Sequence, residues 1–358
     1  MHAGSSASGP GRASCTEMYV TPRPDASDDP NYGIRLGLTG TLAYAAIPLL
    51  DPALPPIIAA LPLGLIAAQR KAFDPAKLVG GGVAMIVLPW VMTWLVEWLR
   101  PMPLAYVTVI WGLYFAGFLM ILRTGAQVGM LIVVITVLIS VMGMHGNATV
   151  ETLRDGFTQA GVVTLVVGPI VYLIIPARTG EKHLDDPVPG QGNTVTGAII
   201  RATVLLGLSF WLYAVMQPSD MMMAVIAAMV LVFPTRHAVF SEAFQRMRAT
   251  VYGAAMALGI LMLFILSPHL PLVLGLIFLG GLWFGQKMMF GPHPSMVYQY
   301  AFSVALALIA GALSTQDLGY ATFTRIILTL IGAFTAAFTV ALLDALTGWQ
   351  TPRPEKPA

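Results

Sequence analysis

The sequence predicts an all-α polytopic membrane protein with about 12 transmembrane helices, arranged as two parallel six-helix repeats. Three observations predict it. The chain of 358 residues is 57% hydrophobic and only 10% charged, with a mean hydropathy of +0.77. A soluble domain carries about 25% charged residues, so this much apolar surface escapes water only in a bilayer. Apolar runs of helix length recur from residue 31 to residue 346. The charges between those runs are distributed unevenly.

Residues 1–30 are rich in Gly, Ser, Pro and Asp, with no cationic stretch leading into an apolar one. They read as a disordered cytoplasmic tail without a cleavable signal. The single cysteine, Cys15, lies in this tail and rules out an internal disulfide.

A bilayer core takes roughly 20 apolar residues per helix. Membrane half one, 31–176, supplies six runs: Ile34–Leu50, Pro52–Ala68, Leu78–Trp98, Pro103–Leu122, Gly129–Met144 and Phe157–Ile175. A polar cytoplasmic linker, 177–196, follows and carries Asp185 and Asp186. Membrane half two, 197–346, supplies Gly197–Met216, Met221–Phe233, Ala249–Leu266, Pro271–Gly285, Met296–Leu313 and Ile326–Asp344. The run Met221–Phe233 has 13 residues, so it has to tilt, extend or re-enter. Residues 347–358 form a polar C-terminal tail.

With the N-terminus in the cytoplasm and alternating helices, 16 of the 19 Lys and Arg residues fall inside. Only Arg100, Arg154 and Arg325 fall outside. That is a positive-inside distribution, and an odd helix count in half one would destroy it. The halves match at an offset of about 168 residues. Asp51 and its apolar run answer to Asp220 and Met221–Phe233, and Arg35 answers to Arg201. Ile58-Ala59-Ala60 answers to Ile226-Ala227-Ala228, Lys77 to Arg248, and Arg154 to Arg325. Equal orientation of the halves makes this a parallel repeat.

Enzyme signatures are missing. There is no HExxH, Cys/His cluster, P-loop or GxSxG, and the six histidines show no metal spacing. No enzymatic activity, cofactor, metal or nucleic acid is expected. The charged residues suggest transport. Between Arg236 and Arg248 a helix gathers Phe240, Ala243, Phe244 and Met247 on one face, the pattern of an interfacial helix. Its basic residues either anchor the chain on anionic lipid or, with Arg70, Lys71 and Lys77, collect anionic substrate at an inner mouth. Asp220 and Asp51 are the available coupling acids, and each reads equally as a helix cap in water. Arg35, Arg201, Arg154 and Arg325 border or enter apolar runs. A cation there either faces a partner or watery cavity or snorkels to the headgroups. Pro52, Pro55, Pro56 and Pro62 crowd the second helix and Gly80-Gly81-Gly82 the third. Such residues mark either broken helices at a binding site or close small-residue packing.

Asp220–Phe233, Pro234-Thr235-Arg236, the basic stretch to Arg248 and Thr250-Val251-Tyr252-Gly253 together resemble the fusaric acid resistance and aromatic acid exporter superfamily. Similarity is greatest to a short branch with about 350 residues and two membrane halves. The resemblance implies a bacterial inner-membrane protein with cytoplasmic termini that exports small organic acids of aromatic type. It also implies a periplasmic membrane-fusion adaptor as partner. Larger members carry long cytosolic domains, which this sequence lacks between its halves. On this reading the lipid bilayer, a small anionic substrate, an adaptor and a second copy in a homo-oligomer are the expected partners. Arg35, Arg201, Arg236, Arg246, Arg248, Arg70 and Lys77 are the expected substrate-binding residues. The competing expectation is a membrane scaffold or assembly subunit of an efflux complex without its own transport path.

Overall fold

The computed structural model describes residues 29–67, 69, 72–124, 127–178, 193–215 and 236–315, with helical pieces at 338–339, 342–343 and 346–347. Regular structure among them is entirely helical. The elements are α1 (Tyr32–Ala45), α2 (Ile47–Leu50), α3 (Pro55–Ala67), α4 (Pro75–Leu99), α5 (Pro103–Thr124), α6 (Gln127–His145), α7 (Asn147–Ile174), α8 (Thr194–Val215), α9 (Arg236–Leu266), α10 (Leu270–Phe290) and α11 (Ser295–Thr315). Among the described residues, eight stretches are long and apolar enough to cross a membrane, and two apolar helices are shorter. Helices are the outcome because lipid offers the backbone no hydrogen-bond partner, so N–H and C=O groups must satisfy one another. The outward faces agree. Val83, Val87, Val91 and Trp94 line the exposed side of α4, and Val162, Val166, Ile170 and Leu173 that of α7. Stripes this apolar are excluded from water, so they face the bilayer.

Side-chain contacts fix which helix ends lie together. Tyr32 at the start of α1 reaches Ala67 at the end of α3 and Met288 near the end of α10. Arg35 lies over Tyr172, near the end of α7. At the opposite end, Arg100 after α4 donates to Asn147 at the start of α7 (2.5 Å). The first of these ends also carries Lys77 and Arg248 and is called the basic end below; the other is the far end.

Several boundaries differ from the sequence expectation. Helix α7 begins at Asn147, ten residues before Phe157, and takes Arg154 inside it. The basic stretch Arg236–Arg248 is not a separate interfacial helix. It is the first part of α9, which runs unbroken for 31 residues. An interfacial helix needs a bend before its span, and no proline interrupts Arg236–Leu266. The stretch ahead of Met247 therefore extends the helix by about 16 Å at 1.5 Å per residue. The glycines 80–82 do not break α4 either. A Cβ on Gly81 would lie 2.8 Å from Leu65 Cδ2, and one on Gly82 2.7 Å from Leu165 Cδ2, so they let α3 and α7 approach.

The prolines around the second run do shape the chain. Helix α1 stops at Ala45, just ahead of the short α2 that contains Pro48, and Asp51 ends α2 in the left-handed conformation (φ 42°). Helix α3 then starts on Pro55, whose missing N–H costs nothing at a helix start, and has 13 residues. That is about 20 Å, well short of a ~30 Å hydrocarbon core.

The buried cores cross the sequence halves. One joins α5 and α6 with α8; the other joins α9, α10 and α11 with α1 and α3. A third, smaller cluster ties α1, α3, α4 and α7. Thus α1 packs on α10 and α8 packs on α5. The first pair meets through glycines. A Cβ on Gly285 would lie 2.6 Å from Gly33 Cα, and one on Gly281 2.5 Å from Gly37 Cα. Gly33/Gly37 and Gly281/Gly285 are both four apart, the small-residue spacing that lets membrane helices touch. The second pair meets through hydrogen bonds: Tyr114 Oη with Ser209 Oγ (3.0 Å) and Trp111 Nε1–H to Thr203 Oγ1 (3.2 Å).

Gly281→Val is expected to cost about 1–3 kcal/mol through overpacking, read as a lower unfolding temperature in detergent. Gly207→Ala, whose Cβ meets nothing within 4 Å, should be neutral or stabilise by up to about 1 kcal/mol through helix propensity. Equal effects of the two would contradict the glycine contact.

Candidate functional site: a buried arginine on a tyrosine shelf

Arg35 sits in the first turn of α1 with 2% of its surface exposed. A buried cation is tolerated only when paired and hydrogen-bonded. Its Nη2 pairs with the carboxylate of Asp29, itself 2% exposed and three residues ahead of the helix. Asp29 therefore belongs to the packed bundle, although composition groups it with the tail. The guanidinium lies over the ring of Tyr172 from α7, with Cζ 4.7 Å from the centroid, the geometry of a cation–π contact. Arg35 Nη1 is buried without a hydrogen-bond partner.

The shelf is fixed by the end of α3. The last carbonyls of a helix lack internal donors, and α3 ends within the bundle. Tyr32 donates its hydroxyl to Ala67 O (3.0 Å), and Tyr172 donates its own to Gln69 O (2.9 Å). Phe73 packs on the Tyr172 ring, 5.0 Å between centroids. Gln69, 4% exposed, donates Nε2–H to Asp74 O (3.2 Å), and its Oε1 is buried without a partner. Asp74 caps α4 by accepting the N–H of Ala76 (3.2 Å). Lys77 follows on the first turn of α4, partly buried. The starts of α1 and α4 and the ends of α3 and α7 thus converge on one polar cluster.

Arg201 on α8 is fully buried and donates Nη1–H to Gly197 O (3.2 Å). It belongs to the α5–α6–α8 side, whereas Arg35 belongs to the α1–α10 side, so the two buried arginines sit in different packing units. Arg248 is exposed on α9. One turn on, Tyr252 stacks on His293 and Tyr298 and shares a hydrogen bond with His293 Nε2 (3.3 Å). A Cβ on Gly253 would lie 2.5 Å from Ala301 O. The Thr250–Gly253 motif therefore seats α9 on α11. Arg236 and Arg246 lie on the α9 backbone, and their side chains fall outside the described set. Arg70, Asp220, Arg325 and the runs Met221–Phe233 and Ile326–Asp344 fall outside the described residues, apart from the helical pieces of the last run. Asp51 is exposed at the far end.

A second polar set lies towards the far end. Tyr106 donates to Ser140 O (2.6 Å), and Tyr114 Oη bridges Ser140 Oγ and Ser209 Oγ (3.1 and 3.0 Å). Tyr106, Ser140 and Ser209 border a small crevice of about 10 Å³, room for about one water molecule, between α5, α6 and α8. Arg154, for which the sequence leaves a buried position open, instead pairs with Asp155 (2.9 Å) and covers Trp90 at 4.2 Å.

Sequence reasoning finds Arg35 and misses what surrounds it. Asp29 reads as tail, and Tyr172 as one more aromatic in an apolar run.

Residues 208–339 match the family model of fusaric acid resistance protein-like proteins. This segment, from α8 through α11 and beyond, is fusaric acid resistance protein-like, as the resemblance read from Asp220–Gly253 implies. Neither the curated proteins nor the solved structures gave a match.

Tyr172→Phe keeps the shelf and removes the donor to Gln69 O. The unsatisfied buried carbonyl is expected to cost about 1–3 kcal/mol, seen as a lower unfolding temperature. An unchanged melt would mean that another donor serves Gln69 O.

Proposed function

We propose that the protein is an inner-membrane transporter that exports small organic acids of aromatic type. The observation that carries this reading is Arg35: a cation buried at the basic end of a membrane bundle, on an aromatic shelf, with one donor nitrogen unused. A buried cation in a span is costly and marks a substrate or ion path by default. The fusaric acid resistance-like segment supports the same class.

On this reading the chain has about 12 helices in two parallel halves. The packing supports it. Helix α1, the first of half one, lies on α10, the fourth of half two; α8, the first of half two, lies on α5, the fourth of half one. Each of those first helices carries a buried arginine. The basic end faces the cytoplasm by the positive-inside distribution. There Arg236, Arg246, Arg248, Arg70 and Lys77 concentrate anionic substrate, and Arg35 and Arg201 accept it within the bundle. Asp51, exposed at the far end, and Asp220 are the proposed coupling acids. A periplasmic adaptor and a second copy complete the exporter.

Removing the charges of Arg246 and Arg248 together is expected to lower efflux of a radiolabelled hydroxybenzoate from cells, with membrane abundance unchanged. An equal fall in abundance would instead assign these residues to lipid anchoring.

A further inference from the structure

We propose that Arg248 and Lys287 together hold the phosphate of one anionic phospholipid, on the lipid-facing side of the α9–α10 pair at the basic end. The site lies outside the bundle and goes beyond the transport reading without resting on it. The pairing follows from the register of the two helices. They run antiparallel, joined by the short turn 267–269, and a Cβ on Gly280 would lie 1.9 Å from Met256 Cε. Arg248 comes eight residues before Met256 and Lys287 seven after Gly280, both towards the basic end. At 1.5 Å per residue these are steps of about 12 Å and 11 Å, so the two cations stand at one level on neighbouring helices. That level is the membrane boundary, since the apolar spans run Met247–Leu266 and Leu270–Phe290. Lys287, two turns from Gly280, keeps to the face of α10 that meets α9, and Arg248 is exposed.

Among the described residues no carboxylate pairs with either cation. Lys287 Nζ instead rests 5.8 Å from the centre of the Trp283 ring, one turn nearer the membrane middle. That cation–π contact holds the ammonium at the boundary. Below this level the two helices turn apolar surface to the lipid, Val251 and Leu258 on α9 and Leu279 and Trp283 on α10. Gly259, on the Met256 flank of α9, is exposed there, and a Cβ on it would meet nothing within 4 Å. Two cations without carboxylates, above apolar helix faces, match a headgroup phosphate with its acyl chains beneath. A soluble anion would use the cations and leave the apolar faces idle. The guanidinium takes two phosphate oxygens and the ammonium a third. Two positive charges facing one phosphate favour a headgroup that adds no cation of its own, phosphatidylglycerol over phosphatidylcholine.

The test uses the full-length protein in detergent, with phosphatidylglycerol or phosphatidylcholine added and bound lipid counted by native mass spectrometry. Wild type is expected to hold one phosphatidylglycerol in preference to phosphatidylcholine. A basic residue at a membrane surface strengthens binding to anionic lipid about fivefold. Lys287→Gln and Arg248→Gln should therefore each weaken phosphatidylglycerol binding about fivefold, while Lys287→Arg keeps it. Arg123, an exposed cation in the last turn of α5, is the control, and Arg123→Gln should leave binding unchanged. Excess inorganic phosphate should not displace the lipid. Unfolding temperatures in lipid-free detergent should match wild type. If Lys287→Gln melts lower, the exposed position decides: Arg248→Gln must lose binding while melting as wild type, and full binding by it overturns the site. The inference also falls if phosphatidylcholine binds equally well, if Arg123→Gln weakens binding as much as Lys287→Gln, or if Lys287→Arg loses it. Displacement by inorganic phosphate would leave an anion site without a lipid and overturn it too.

Discussion

The last carbonyls of a helix have no donor within it, and this bundle is arranged around one such end. Helix α3 is 13 residues long, and its last turn ends among α1, α4, α7 and α10. Tyr32 Oη–H serves Ala67 O and Gln69 N–H serves Ile66 O, while Tyr172 Oη–H serves Gln69 O, two residues past the helix end. The last of these also fixes the Tyr172 ring, and the ring carries the guanidinium of Arg35. One side chain thereby links a backbone requirement of folding to the placement of a buried cation. The polar cluster at the basic end is built where α3 ends against α1, α4 and α7.

The packing of the helices solves a different problem. Lipid tails are as apolar as leucine, so membrane helices gain little from simply meeting. Two crossings in this chain use different remedies. At α1–α10 the glycines Gly33, Gly37, Gly281 and Gly285 bring the backbones into contact. At α5–α8 the contact is polar, through Tyr114, Ser140 and Ser209. The first crossing is thereby sealed, whereas the second keeps hydroxyls beside a crevice. Both lie between residues on opposite sides of the 177–196 linker. Helices α1 and α8 are therefore each committed to a core built largely from helices across that linker, and each brings a buried arginine with it. Motion of one core against the other would move Arg35 and Arg201 together with their hosts, a mechanical link that two independent bundles would lack.

Much of this is legible in the sequence, for identifiable reasons. The spans are readable because length and hydropathy are local properties, and α5 and α8 begin within three residues of the runs that announce them. The fate of Arg236–Arg248 is not. An amphipathic stretch with one apolar face reads the same whether it lies in the headgroups or continues a transmembrane helix, and continuity is decided by the residues that follow. The glycines 80–82 are ambiguous in the same way until their neighbours, Leu65 and Leu165, are known. Arg35 stands out because a cation in an apolar run is costly wherever it goes. Its partner Asp29 does not, because a carboxylate just outside a helix is ordinary in sequence and becomes informative only when buried. The pairing of α1 with α10 depends on contacts such as Tyr32 with Met288, 256 residues apart in the chain, which no local pattern encodes.

The central claim is that this bundle carries small organic anions. It is tested most directly by counterflow: liposomes containing the purified protein are loaded with unlabelled 4-hydroxybenzoate and diluted into a trace of the labelled acid. Counterflow needs neither an energy source nor an adaptor, so it isolates the path through the chain. Transient accumulation of label inside, abolished by Arg35→Gln/Asp29→Ala, is the result this account predicts. Label entering at the rate of protein-free liposomes, with the protein folded and correctly inserted, would contradict it.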